Sequence, residues 1–209
     1  MGKDKFRKYL ARQLRKGTYE DIPLYMMQNY TVEGATENLL LFTDILDKYS
    51  IDYWLAFGTL LGIYRDGKLI ENDGDIDLGM KMCNFDKFIP VDKELHRKGF
   101  AFAHMWSIKP DWAYTIAYVK DGIPLGLHGY QRDKDVWSWG HDQTYYPPSP
   151  PILDSQISNL RTIQFKGKKF KTVNNVEDYL LAMYGKTWGI PSPIKNIMSP
   201  GFIFDRAFA

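Results

Sequence analysis

Apolar residues along this 209-residue chain recur in two periods, and the switches between them outline its elements. Phe6, Tyr9, Leu10 and Leu14 fall at helical spacing, as do positions 39, 42, 45, 46 and 49 within Thr36 to Tyr49, which predicts a helix burying one face. Residues 51–57 form an apolar strand that ends at Gly58-Thr59 and passes into a short helix. Residues 75–80 alternate, with Ile76 and Leu78 on one face and Asp75 and Asp77 on the other. A helix over Phe85 to Lys98 ends at Gly99, and strands follow over 100–105, 113–119 and 123–130. Phe165 to Phe170 reads as a hairpin. Asn174 or Asn175 caps a last helix that carries Glu177 and Asp178 in its first turn and Gly185 after its end. This order predicts an α/β chain of the α+β kind with a mixed sheet. It forms a single domain, with a basic helical segment over 1–30 and a folded body over 31–209.

The acidic strand carries the strongest chemical signal. Asp75 and Asp77 lie on one face, roughly 6.6 Å apart along the backbone, and two carboxylates this close repel unless a proton or a cation sits between them. A hard divalent ion with oxygen ligands, Mg²⁺ or Mn²⁺, suits such a pair. An EF-hand beginning at Asp73 is excluded, because Leu78 and Asn84 stand where its Gly and Glu belong. A solvated acidic turn is the competing reading of the triplet alone. The upstream context favours the metal. Gly58 lets the backbone approach a phosphate, Thr59 can cap the helix and offer a hydroxyl, and Arg65 adds a planar fork suited to phosphate oxygens.

These residues carry a resemblance. From Phe57 to Met80, Gly58-Thr59-Leu60-Leu61-Gly62, Arg65, Ile70 and the series Asp73, Asp75, Asp77, Gly79, Met80 resemble, in order and spacing, the LicD/fukutin group of nucleotidyltransferase-fold phosphotransferases. Near the C-terminus Asp178-Tyr179-Leu180, Tyr184-Gly185-Lys186-Thr187-Trp188 and Pro191 look like the fukutin pattern, and Tyr130 to Trp137 is a looser match. The resemblance implies a nucleotidyltransferase fold over 31–209. It also implies metal-dependent transfer of phosphocholine or a phospho-alditol such as ribitol 5-phosphate from a CDP donor to a glycan or lipid-linked glycan. Asp73, Asp75 and Asp77 would be catalytic, with Asp75 and Asp77 on the metal and Gly58, Thr59 and Arg65 on the substrate. One departure stands out. The family places a further aspartate on a later strand, whereas Ile123 to Tyr130 contains no carboxylate, and His128 is the residue able to substitute as a metal ligand. Asp73, Asp133, Asp135 and His128 are the candidates for general base. A sugar-nucleotide glycosyltransferase and an inactive glycan-binding relative are the rival readings.

Composition adds three points. The net charge of +2 conceals a basic stretch, for residues 3–16 carry seven Lys or Arg against Asp4, leaving −4 on the remainder. This amphipathic helix suits either packing on its own domain or peripheral contact with an anionic membrane surface. No nucleic-acid motif accompanies it. Without an apolar run of 18 residues or a signal-peptide core, and with Cys83 as the single cysteine, the expected location is cytoplasmic, peripheral to the inner membrane surface. The segments Trp137 to His141 and Tyr145 to Pro148 form an aromatic, proline-rich loop that suits a sugar acceptor.

Overall fold

The computed structural model describes residues 3–16, 29–71, 73–107, 114–139 and 152–191. Helix α1 (Lys3–Arg15) and helix α2 (Val32–Lys48) precede strand β1 (Tyr53–Leu55), helix α3 (Phe57–Asp66) and strand β2 (Ile76–Lys81). The helix expected over 85–98 divides into a 3₁₀ segment, Met82–Lys87, and α4 (Phe88–Arg97). Strands β3 (Ala101–Ser107), β4 (Tyr114–Lys120), β5 (Ile123–Asp133), β6 (Val136–Ser138) and β7 (Ile152–Leu153) follow, then α5 (Asp154–Ile157), the hairpin β8 (Arg161–Phe165) and β9 (Lys168–Thr172), and α6 (Val176–Tyr184).

Strand order in the main sheet is β1-β2-β5-β4-β3, with β6 and β7 continuing from the far part of β5. Among the described residues only β2 and β5 run parallel and the other pairs are antiparallel, so the predicted mixed sheet is present. The period of two then sorts the side chains by face. Leu55, Ile76, Leu78, Leu125, Leu127, Ile116 and Tyr118 share the buried face through their register. Helices cover it: the Phe42 ring meets Phe100 at 5.3 Å and Tyr118 at 5.8 Å, and Phe88 reaches Tyr118 at 6.5 Å. Asp77, Gly79, Gly126, His128 and Thr115 share the opposite face.

The apolar stripe of α1 belongs to this core. Phe6 and Leu10 are fully buried, and the Phe6 ring packs on Phe88 at 5.2 Å. The buried Asp92 carboxylate accepts hydrogen bonds from Tyr9 at 2.8 Å and Tyr118 at 2.6 Å, which ties α1 to α4 and the sheet. Lys5, Lys8, Arg12 and Lys16 stay exposed on the other side. Among the described residues no helix is long and apolar enough to cross a membrane.

Candidate active site

The site is built where β1 hands the chain to α3. The Ala56 N–H donates to the Asp77 carbonyl at 3.1 Å, and the helix starts one residue later. Phe57 there has φ +44°, a left-handed conformation that costs a residue with a Cβ about 1–3 kcal/mol. The far end of the chain holds it, since the Phe57 N–H donates to the Tyr179 hydroxyl at 3.2 Å. Thr59 is buried and its Oγ1 accepts the Asp77 N–H at 2.8 Å. The expected capping role of Thr59 is therefore corrected: α3 begins earlier, Ala56 is its N-cap residue, and the Thr59 hydroxyl binds the acidic strand instead. Gly58 meets an acid rather than open space, because a Cβ there would collide with the Asp73 carboxylate. Gly62 likewise admits the backbone after α3, as a Cβ would stand 2.7 Å from the Lys68 carbonyl.

Asp77 is held at both backbone groups and at its side chain, where His128 Nε2 lies 2.7 Å from Oδ1. Asp75 sits at a bend just before β2 and is exposed. Both carboxylates are pushed up to about 7. For Asp75 the first cause is repulsion from Asp77, ahead of burial, and its exposure agrees with that order. For Asp77, 15% exposed, the cause is burial. Burial lowers His128 to about 4, so its contact with Asp77 is a hydrogen bond from a neutral ring rather than an ion pair. Three phenols surround the acids. Tyr30, Tyr179 and Tyr184 are raised first by burial and then, among other charges, by the nearby aspartates, which keeps all three protonated as donors.

Among the described residues no three His, Cys, Asp or Glu side chains converge as a preformed metal cage. A pair of carboxylates fits an ion that keeps several waters and fills its shell with substrate phosphates, as Mg²⁺ does, better than one that needs an all-protein shell. The raised pair has a consequence for pH. A carboxyl group raised above its unfolded value stabilises the fold below about pH 4, and that contribution is lost as the pH climbs toward 7, because the native state then holds more protons than the unfolded chain. A bound cation would replace the lost protons. We expect the melting temperature of the metal-free protein to fall between pH 5 and pH 8, and the rise on adding Mn²⁺ to be larger at pH 8, by about 3 °C or more. A thermal-shift series at both pH values, with and without Mn²⁺, reads this directly.

The remaining expected site residues are dispersed. Arg65 lies near the other end of α3, where its guanidinium grips Asp66 at 2.7 and 2.9 Å and donates to the Trp188 carbonyl at 3.3 Å. Asp133 ends β5, roughly 16 Å along the strand from His128, and Asp135 is 95% exposed in the turn beyond it. Trp137 donates to Asp154 at 2.6 Å and carries the Lys81 ammonium over its ring at 5.2 Å. Trp139 packs on His128 with ring centres 4.6 Å apart. His141 and Tyr145 to Pro148 lie outside the described residues. Thr115, Gly126 and Tyr30 join the site without having been singled out by sequence. Only their register against β2 and β5, or their burial beside the aspartates, reveals them.

Comparison with known proteins identifies the chain's family. Residues 50–175 match the model of the family described as LicD/FKTN/FKRP, nucleotidyltransferase domain. Curated relatives include proteins named ribitol-5-phosphate transferase FKTN from Macaca fascicularis and Homo sapiens, each 27% identical over 160 residues and 76% of this chain. The Mus musculus protein of the same name is 27% identical over 158 residues, 75% of this chain. The matched stretch spans about a third of each relative's length, 33–34%. The matched region runs from the entrance of β1 to the cap of α6 and so takes in the acidic strand, the turn into α3 and the β5 face opposite them: this chain belongs to the LicD/FKTN/FKRP family.

Proposed function

We propose that the chain is a metal-dependent phosphotransferase of nucleotidyltransferase fold. It would move a phosphorylated small alcohol, ribitol phosphate, phosphocholine or a similar group, from a CDP donor to a hydroxyl of a glycan or lipid-linked glycan. The observation that carries this reading is the Asp75/Asp77 pair, whose mutual repulsion and burial call for a cation on a strand anchored to α3. The curated relatives bear a name for ribitol-5-phosphate transfer.

In this reading Asp75 and Asp77 would hold Mg²⁺ or Mn²⁺, and His128, on β5, borders the pair through its bond to Asp77. When bound, the ion neutralises the donor diphosphate and the charge that develops on transfer. Gly58 and Thr59 shape the turn facing the phosphates. Asp73, whose carboxylate lies against Gly58, would take the proton from the acceptor hydroxyl. The acceptor oxygen forms the new P–O bond, the bond to the cytidylyl phosphate breaks, and CMP leaves. Residues 31–209 form the catalytic body. Because Phe6 and Leu10 are buried, contact with anionic headgroups on the cytoplasmic side would run through Lys5, Lys8, Arg12 and Lys16.

Incubation with CDP-ribitol, CDP-glycerol or CDP-choline, Mn²⁺ and a glycan panel is expected to release CMP and leave a phosphodiester on the acceptor. Release of UDP or GDP from sugar nucleotides would establish glycosyl transfer instead. Metal and donor binding without turnover across the panel would leave a glycan-binding relative.

A further inference from the structure

Four polar groups from different parts of the chain line up head to tail behind the acidic strand. Trp139 Nε1 lies 2.6 Å from Thr115 Oγ1, Thr115 Oγ1 lies 3.1 Å from His128 Nδ1, and His128 Nε2 lies 2.7 Å from Asp77 Oδ1. One end of this chain has a fixed sense, since an indole N–H only donates, and the other end accepts when the Asp77 carboxylate is ionised, the form that a cation would meet. With Thr115 receiving the indole, its own proton goes to Nδ1. The ring proton then sits on Nε2 and is donated to Asp77. Every donor and acceptor is satisfied by one neutral tautomer. The other tautomer would aim a second donor at Thr115 and leave the Nε2 lone pair facing a carboxylate oxygen.

Packing fixes the ring in the same pose. Phe57 and Trp139 meet it edge-on, at 5.0 Å and 83° and at 4.6 Å and 84°. Gly126 leaves the space that the pair occupies, for a Cβ there would stand 2.9 Å from Nε2 and 3.2 Å from Asp77 Oδ1. A metal ligand on Nε2 would require the opposite tautomer and the loss of the bond to Asp77.

We infer that Trp139, Thr115 and His128 are positioning residues for Asp77: the relay holds one carboxylate oxygen so that the other faces the ion, and His128 acts through Asp77 instead of joining the coordination shell. This replaces the absent later-strand carboxylate with a hydrogen-bond donor. It rests on the metal reading of the site, and the test separates the two.

Protein labelled with ¹⁵N-histidine and held at pH 8, with the His128 signals assigned by their loss in H128N, is expected to show the Nε2–H tautomer without metal and to keep it through a Mg²⁺ titration. Thr115→Val removes the hydroxyl, and with it both of its hydrogen bonds in the relay, at nearly constant volume. It should erase the tautomer preference and weaken Mn²⁺ binding about 10-fold, whereas Thr115→Ser should restore both. Trp139→Phe keeps the ring and removes the N–H, and should give an intermediate loss. An Nδ1–H tautomer in the native protein, a ligation shift of Nε2 on adding Mg²⁺, or a T115V variant identical to the native protein in both readouts would overturn the inference. An Nε2–H tautomer in a protein that takes up neither Mg²⁺ nor Mn²⁺ would uphold the relay and refute the metal reading instead.

Discussion

Asp77→Asn is expected to lower the rate of CMP release by roughly 10²-fold or more while leaving the fold intact. The asparagine keeps a carbonyl oxygen for His128 Nε2, and the backbone bonds to Thr59 and Ala56 do not involve the side chain. The charge is removed, together with the second oxygen that would face the ion. Asp75→Asn should cost a similar factor, since the two carboxylates would hold the same ion in the proposed site. Both variants should melt at a higher temperature than the metal-free native protein at pH 8, because each removes one member of a pair whose ionised state opposes folding. Loss of turnover together with a gain in stability separates a functional acid from a structural one. Circular dichroism, melting curves and Mn²⁺ titration alongside the CMP assay supply the comparison. Near-native turnover in both variants would remove the pair from catalysis.

Gly58→Ala is expected to lower turnover by about 10- to 100-fold through Asp73. Alanine favours a helix over glycine, so the substitution should not weaken α3 itself. Its Cβ would occupy the position of the Asp73 carboxylate, and that acid must move. Gly126→Ala tests the other wall. Its Cβ would press on His128 Nε2 and Asp77 Oδ1, so Mn²⁺ affinity should fall with the rate, whereas Gly58→Ala should affect the rate more than the affinity if Asp73 serves as base. Stopped assays over a range of Mn²⁺ concentrations distinguish the two. Unchanged kinetics in Gly58→Ala would take Asp73 out of the mechanism.

Much of the architecture was legible in the chain because its signals are local. The caps Asn175 and Gly185, the alternation from Ile76 to Met80 and the turn at Lys166-Gly167 each report on a few neighbouring residues, and the elements lie near the expected bounds. The strand expected over 51–57 shrinks to Tyr53–Leu55 because Phe57 turns into α3 with positive φ, a departure that no side-chain pattern announces. Thr59 illustrates a different limit: a hydroxyl near a helix start suggests capping, but its partner is the Asp77 N–H, 18 positions away. Arg65 has an acid at the adjacent position, and the structure joins the two. The amphipathic stripe of α1 has the same appearance whether a bilayer or a protein core receives it, and only the packing of Phe6 and Leu10 identifies the core. Thr115 gives no signal in the sequence and Trp139 reads there as part of an aromatic acceptor loop, for a simpler reason. Their importance lies in the register of β4 against β5 and in the segment after β6, and neither is encoded in the spacing of like residues.

Sequence separation gives this site a place in the folding order. His128 reaches Asp77 across 51 positions and Tyr179 reaches Phe57 across 122, whereas the contacts within each helix and the β8–β9 hairpin close over short loops. The entropy of closing a long loop must be met before its contacts stabilise anything, and a parallel pair such as β2–β5 cannot form through a tight turn. A chain still being synthesised can present its acidic strand long before α6 exists to hold Phe57. Such a nascent chain carries the carboxylates without the geometry, so the arrangement around Phe57 is complete only once α6 has joined it.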